Sequence, residues 1–203
     1  MDSLINMENR FHFGLKVAVI SHTTDLVRKF IESIPGVKLD PEEDFRFLKV
    51  YSFPLFISNS IILRIDLWAL PDNVRQRGDA ELLCCDASIV FYVAATESDL
   101  LTLLSIFHRD IRASNPQCKY ICCGELNENS LTELGKASGF LIQKTENMEK
   151  KNIESVFFST IASVINQIPN PPDPAYLLYT NIRLGSLLLN DPNYQKALRP
   201  ITK

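Results

Sequence analysis

Short apolar runs alternate with amphipathic segments along most of the chain. The first run, 13–21, is rich in β-branched residues and almost continuously apolar, which is typical of a strand buried on both faces. A segment with helical spacing of its apolar residues follows directly at 23–34, and Pro35-Gly36 ends it. Strands that alternate with helices in this way predict a mostly parallel sheet that carries helices on both faces.

Two of the predicted strands form a hairpin, because only the polar residues 58–60 separate the runs 45–57 and 61–70. The hairpin adds one antiparallel edge strand to the parallel sheet. The charged segment 71–78 is predicted as a loop, with an optional short helix after it. The other predicted strands lie at 86–95, 119–123 and 140–142, and the other predicted helices lie at 98–111, 130–138 and 152–168. The predicted fold class is therefore α/β, with a six-stranded sheet.

The charge and the apolar content exclude several classes of function. A net charge of -3 and a pI near 5.7 give no long-range attraction for polyanions, so nucleic acid is not an expected partner. No apolar run approaches the roughly 20 residues of a membrane span, and no segment reads as a signal peptide. With no C-terminal cysteine for prenylation, we expect no direct membrane anchor. The expected location is the cytoplasm, with recruitment to an organelle, cilium or cytoskeletal structure through a partner.

The five cysteines lie mostly within or beside strand-like runs, where cysteine behaves as a small apolar residue. The spacing of Cys118, Cys122 and Cys123 does not bring two C-x-x-C pairs together. We therefore expect reduced core thiols, and neither a metal centre nor a disulfide framework. The three histidines are too dispersed to suggest a ligand set, and His108 is expected on the outer side of its helix.

Three segments carry a resemblance to a known family. The run Ile61 to Trp68 ends in a tryptophan before a charged loop, the run Asp86 to Val93 is a central strand, and Asn152 to Phe158 opens the last long helix. In this order and spacing they resemble the small GTPases of the Ras superfamily, and its Rab branch best, over residues 14–167. The resemblance implies a three-layer small-GTPase-like fold.

The resemblance also divides the chain into three parts. Residues 1–12 are an N-terminal extension, residues 13–168 form a Rab/Ras-like domain, and residues 169–203 form a proline-rich linker with an apolar C-terminal extension. The linker has four prolines within 169–174, which favours an extended run. A small GTPase would instead end in a polar tail with lipidated cysteines.

The phosphate-binding loop of that family is missing. The motif G-x-x-x-x-G-K-[ST] surrounds phosphates with backbone N–H groups and supplies a lysine and a Mg²⁺ ligand. No glycine lies between Gly14 and Gly36, and the connection is shorter than the family spacing by about four residues. The positions that align with the loop are Ser21, His22, Thr23 and Thr24. His22 leaves open an unusual anion site at the N-terminus of the following helix.

The other nucleotide-binding motifs are also degenerate. In the second switch, Ala69 replaces the metal-side aspartate, Asp72 replaces the glycine at the γ-phosphate, and Asn73 replaces the water-orienting glutamine. The two guanine-reading motifs align with Glu125, Leu126 and Glu128 and with Glu146 and Asn147. The resemblance therefore implies a pseudoGTPase, with no cofactor, no metal and no catalytic residue.

Exposed apolar residues would then serve protein binding. Trp68 is interpreted either as part of a partner-facing patch, with Phe53 and Phe56 of the hairpin, or as a half-buried aromatic that packs on the adjacent helix. The apolar segment 175–189 must pack on its own domain or on a partner, and partner or mixed docking is favoured. The candidate residues in this segment are Tyr176, Leu177, Tyr179, Leu187 and Leu188.

The resulting functional hypothesis is a non-catalytic subunit of an intracellular complex, of the trafficking, ciliary, cytoskeletal or kinetochore type, that neither binds nor hydrolyses GTP. Its expected partners are proteins, in a hetero-oligomeric assembly. One alternative is an atypical GTP-binding protein or a small GTPase of low activity. A second alternative is an adaptor that binds active Rab-type proteins by adding a strand to the hairpin edge.

Overall fold

The fold is an α/β sandwich built on one mixed sheet. We describe it from a computed structural model that covers residues 10–42, 44–45, 47–57, 61–70, 77–124, 141–144 and 149–198. Within these ranges, no helix is long and apolar enough to cross a membrane.

Six strands form the main path of the sheet, in the order β2-β3-β1-β4-β5-β6. Neighbouring strands are parallel except for the antiparallel pair β2–β3, and a short seventh strand pairs antiparallel with the start of β1. The strands are β1 (Phe13–Ser21), β2 (Lys49–Ile57), β3 (Ile61–Ala69), β4 (Ile89–Val93), β5 (Lys119–Gly124), β6 (Leu141–Lys144) and β7 (Arg183–Leu184). The α/β class and the mostly parallel sheet with one antiparallel edge strand are confirmed.

The helices connect these strands and continue into the C-terminal extension. They are α1 (Thr24–Glu32), α2 (Arg77–Cys84), α3 (Glu97–Leu103), α4 (Arg109–Ser114), α5 (Lys150–Ile165), α6 (Pro174–Tyr179), α7 (Ser186–Leu189) and α8 (Pro192–Leu198). A π-helical turn, Leu104–His108, joins α3 to α4. The optional helix after the charged loop is present as α2, whereas the helix predicted at 130–138 lies outside the described residues.

Each face of the sheet has its own apolar core, because successive side chains of a strand point to opposite faces. The first core receives Leu15, Val17 and Val19 from β1 and is covered by α1 and α5. The second core receives Ala18 and Ile20 from the same strand and is covered by α2 and by the α3–α4 segment. This double burial explains why β1 is apolar at almost every position.

The expected exposure of His108 is wrong. Its side chain is buried on the second core, where its ring lies edge-on to Tyr120 with the centroids 4.9 Å apart, and its Nδ1 lies 3.3 Å from the Tyr92 hydroxyl. The reason is the π-helical turn, which carries an extra residue compared with an α-helical turn. That extra residue widens the inward face of the helix, so Phe107 and His108 are both buried.

Four of the five cysteines are buried and free, and Cys85 alone of the five is exposed. Burial raises the pKa of the Cys84 and Cys122 thiols to about 12. A thiol with such a high pKa stays protonated at neutral pH and is a poor nucleophile and metal ligand. The expectation of core thiols is confirmed for the four buried cysteines.

Candidate functional site

The turn between β1 and α1 contains only two residues, His22 and Thr23. Thr23 caps the helix, because its Oγ1 accepts a hydrogen bond of 3.4 Å from the Leu26 N–H. The Nε2 atom of His22 lies 2.9 Å from the main-chain carbonyl oxygen of Asp99, which lies in the first turn of α3. Because a carbonyl oxygen only accepts, Nε2 carries the proton in this contact. The turn is thus tied to the neighbouring helix by a side chain.

Hydrogen bonds within the turn use groups that a phosphate would need. The Ser21 side chain is buried, and its Oγ accepts from the Thr23 N–H at 3.5 Å. The Leu26 N–H is taken by the cap, and Asp25 adds a negative charge to the first turn of α1. An anion at this helix end would therefore meet a carboxylate and few unused N–H donors.

The structure brings together five of the positions that the resemblance aligns with nucleotide-binding motifs. Ala69 is buried and is paired in register with Val19, two residues before Ser21, so the end of β3 lies beside the β1–α1 turn. The residues brought together are Ser21, His22, Thr23, Thr24 and Ala69. The other seven positions, Asp72, Asn73, Glu125, Leu126, Glu128, Glu146 and Asn147, lie outside the described residues.

A second candidate region is the side of the hairpin that faces away from the first core, and we call it the hairpin face. Cross-strand register places its residues in rows, such as Ser52–Asp66–Lys16. Its members are Val50, Ser52, Pro54 and Phe56 on β2, Ile62, Arg64, Asp66 and Trp68 on β3, and Gly14 and Lys16 on β1. Phe56 is 60% exposed and Val50 is also exposed, so apolar surface remains open at the outer strand.

Asp66 is the charged centre of the hairpin face. It accepts hydrogen bonds from Ser52 Oγ at 2.6 Å and from Arg64 Nε at 3.1 Å, and it forms an ion pair with Arg183 of β7. Asp66 is only 8% exposed, so these partners enclose a buried carboxylate. Its carboxylate joins the hairpin to a strand 117 positions further along the chain.

These contacts set the ionisation of Asp66. Burial acts to raise its pKa, but the hydrogen bonds from Ser52, Arg183 and Arg64 outweigh burial and hold the pKa of this carboxyl below its usual range. A lowered pKa in the folded state means that the ionised carboxylate stabilises the fold above its unfolded pKa of about 3.9. That stabilisation is lost as the pH falls through the folded-state pKa.

We expect the substitution Asp66→Asn to lower the thermal midpoint at pH 7, because it removes the negative charge and one of the two acceptor oxygens, and so leaves two arginines without their anion. The difference from the unmodified chain should begin to shrink as the pH falls below the unfolded pKa of about 3.9, and should disappear as the pH falls through the lowered folded-state pKa of Asp66. Thermal unfolding at several pH values from 7 to 3 measures this. Asp110→Asn is the control, since Asp110 pairs with a largely exposed arginine and should change little at any pH. An equal loss at pH 7 for both variants would contradict the role of Asp66.

Trp68 is half-buried and packs against the second core, with the Lys16 ammonium 3.7 Å from the centroid of its ring. Lys16 also forms a 2.5 Å ion pair with Asp86. The indole Nε1 atom is buried and has no acceptor among the described residues. The half-buried interpretation of Trp68 is therefore confirmed, and its contact with a partner stays a prediction.

Two other candidate partner-binding residues are corrected. Phe53 is buried in the first core, because its position in β2 points inward, and Leu177 is 3% exposed in the same core. Phe56 and Tyr179 are exposed, and Tyr176, Leu187 and Leu188 are half-buried. Only the exposed and half-buried members can contribute to a partner surface in this conformation.

The C-terminal extension packs on its own domain through backbone hydrogen bonds as well as side chains. The Gly185 N–H donates to the His12 carbonyl at 2.7 Å, and the Leu187 N–H donates to the Phe11 carbonyl at 3.2 Å. Asn181, at φ +57°, accepts at its own carbonyl from Ser88 Oγ at 2.9 Å and donates through Nδ2 to Asn115. The sequence signals for this docking were weak, since a two-residue strand has no visible periodicity.

The extension packs on its own domain with its inner side, and the partner or mixed docking favoured from the sequence stays a prediction for its outer side. Leu177 and Ile182 are buried in the first core, whereas Leu178 is 81% exposed and Tyr179 and Leu189 are also exposed. The inner side is part of the fold. The outer side leaves apolar side chains in contact with water, at positions where a partner could cover them.

Three cavities lie away from the β1–α1 turn. One of about 250 Å³ lies between the hairpin face and the extension, with Lys16, Trp68 and Leu178 among its walls. A second of about 250 Å³ lies between β5, α5 and α6 and contains Lys119, whose pKa is lowered by burial. A third, of about 80 Å³, lies beside Arg10 and Arg64. Within the described ranges, no group of three metal-binding side chains converges.

Comparison with known proteins adds no assignment: no protein-family model matches the chain, and no curated protein matches it.

Proposed function

We propose that this protein is a non-catalytic, small-GTPase-like subunit that binds other proteins and does not bind GTP. The observation that carries the proposal is the two-residue β1–α1 turn, in which His22 and Thr23 are both engaged by hydrogen bonds. The resemblance implies a mostly parallel sheet with one antiparallel edge strand, and the described sheet, with β2 antiparallel to β3 at its edge, is consistent with that expectation and supports the proposal.

The physical argument concerns backbone donors. A phosphate-binding loop binds a triphosphate by pointing several free N–H groups at it, and glycines allow the backbone to curve around the anion. The turn after β1 has no glycine and too few residues to curve. Its Thr23 and Leu26 N–H groups donate within the protein, and Asp25 repels an incoming anion. We infer that GTP gains too little here to bind at cellular concentrations.

Without a γ-phosphate, nothing would order or release the hairpin, so the hairpin face is expected in one fixed state. Asp66 supports this, because it ties β2, β3 and β7 together through Ser52, Arg64 and Arg183. A fixed surface suits a constitutive subunit of a complex. We place that complex in the cytoplasm, in the trafficking, ciliary, cytoskeletal or kinetochore class, with recruitment through the partner.

One feature of β2 argues against the alternative of an adaptor that binds Rab-type proteins by adding a strand to the hairpin edge. β2 is the outer strand of the described sheet, but Pro54 lies in its middle. Proline has no N–H to donate, and within an edge strand its nitrogen faces the free edge. A strand added at that edge would therefore lack one hydrogen bond at its centre. The exposed side chains of the hairpin face and of the extension are therefore better candidates for partner contact than the strand edge.

Titration calorimetry with GTP and GDP in the presence of Mg²⁺ tests the proposal. We expect no binding heat at ligand concentrations up to about 1 mM, with a Rab-type GTPase of standard sequence as the positive control. A dissociation constant tighter than about 10 μM for either nucleotide would overturn the proposal in favour of an atypical GTP-binding protein. The titration uses the purified chain alone, so its result does not depend on any partner.

A further inference from the structure

A small apolar slot opens between the hairpin and the residues that precede β1. Its volume is about 80 Å³, roughly half of the 150 Å³ that accommodates a benzene molecule, so it has room for one short aliphatic side chain. Its apolar walls are Phe11, Phe53, Pro54, Ile62 and Leu63. The slot lies where β3 begins, at the opposite end of that strand from Ala69 and the β1–α1 turn.

The rim of the slot is cationic. Arg10 and Arg64 both line it, and none of the described residues that line it is acidic. Arg64 donates from its Nε to Asp66. The terminal nitrogens of its guanidinium group are further donors that can bind a second carboxylate. Arg10 is exposed to solvent. An apolar hole flanked by two guanidinium groups selects a ligand that carries an apolar group next to negative charge.

We propose that this slot binds a partner protein segment in which one aliphatic side chain is flanked by Asp or Glu. The aliphatic side chain fills the slot, and the neighbouring carboxylates pair with Arg10 and Arg64. Phe56 is paired across the hairpin with Ile62 and is exposed, so it extends the apolar surface beyond the slot. This inference rests on the proposed role as a protein-binding subunit and names the chemistry of the partner.

Two observations favour a protein segment over an anionic membrane. The slot is concave and has the size of a single side chain, which suits one anchor residue in a pocket. Anionic membrane surfaces are held by clusters of several lysines and arginines, whereas two arginines line this slot and the whole chain has a net charge of -3.

Fluorescence anisotropy of the full chain with a labelled peptide, Ser-Gly-Asp-Leu-Glu-Glu-Gly-Ser, tests the proposal. We expect a dissociation constant between about 10 and 500 μM, as befits a single-anchor contact. Replacing the leucine of the peptide by glycine, or its three acids by lysines, should weaken binding by about 10-fold or more. Equal binding of all three peptides would overturn the proposal.

Variants of the protein locate the contact. Arg10→Glu should weaken peptide binding by about 5-fold or more, whereas Arg109→Glu, an equal charge change on an exposed helix, should leave it unchanged. Ile62→Phe fills the slot and should abolish the preference for leucine over glycine while the charges remain. If Ile62→Phe lowers the thermal midpoint, Arg10→Glu still tests the contact, because Arg10 is exposed and its substitution should not affect folding.

Two other occupants would overturn the assignment. Peptide binding that is absent in the full chain and appears only after removal of residues 2–9 would mean that the chain's own N-terminal residues, and not a partner, occupy the slot. Binding to phosphatidylserine vesicles, lost in Arg10→Glu, with no binding of the peptide would mean a lipid surface. The GTP titration is independent of this slot, so a failed peptide experiment leaves the absence of nucleotide binding to be judged separately.

Discussion

Truncation of the chain after Gln167 is expected to unfold the domain or to lower its thermal midpoint by about 10 °C or more. The deleted segment contributes Leu177 and Ile182 to the first core, where they are 3% and 4% exposed. Burial of each such side chain is worth about 1.5–3 kcal/mol, and about 1 kcal/mol changes the midpoint by 2–4 °C in a domain of this size. Circular dichroism during heating measures the change.

A double variant of the outer side separates folding from binding. Leu178→Ala with Tyr179→Ala changes exposed side chains of the same segment, so the free energy of unfolding should change by no more than about 0.5 kcal/mol. Partner binding through the extension should therefore be tested with this double variant and not by truncation. A truncated chain that keeps its full thermal midpoint would contradict the view that the extension is part of the fold.

The sheet could be predicted from the sequence because its signals are local. The strands β1 and β4 are buried on both faces and are therefore almost continuously apolar, and the hairpin is marked by three polar residues between two strand-like runs. The strand β7 could not be predicted in the same way. Arg183–Leu184 is too short to show a period, and its position depends on the turn at Asn181 and on contacts with β1.

The candidate site was also predicted only in part, because only some of its features are local in the sequence. The absence of a phosphate-binding motif is visible in the sequence, because that motif consists of consecutive residues of fixed type. The proposed partner surface is not visible in the sequence, because β2 has apolar residues on both of its faces: Phe53 points into the core and Phe56 points to water. Asp66 was missed for another reason. Its importance comes from Arg183, which the sequence places 117 residues away and the fold places beside it.

Gly185→Ala is expected to loosen the extension from β1 at a cost of about 2–5 kcal/mol, which lowers the thermal midpoint by about 5–15 °C. A β-carbon at this position would lie 1.9 Å from the main-chain oxygen of Phe11, well inside the roughly 3.5 Å at which nonbonded heavy atoms touch. The obstacle is backbone, so no side-chain rotation relieves it. The hydrogen bonds from the residue 185 and Leu187 N–H groups to the segment before β1 must lengthen or break.

Gly14→Ala is the matched control. It adds the same methyl group at the contact between the extension and β1, but on the β1 side. Its β-carbon would lie 3.2–3.3 Å from side-chain atoms of Arg183, so a shift of a few tenths of an ångström that keeps the ion pair with Asp66 is enough, and the cost should stay below about 1 kcal/mol. Amide hydrogen exchange separates local from global effects. In Gly185→Ala the Leu187 amide should lose protection while the amides between β4 and β5 keep theirs. Equal stability of the two variants would mean that the extension does not depend on this close approach.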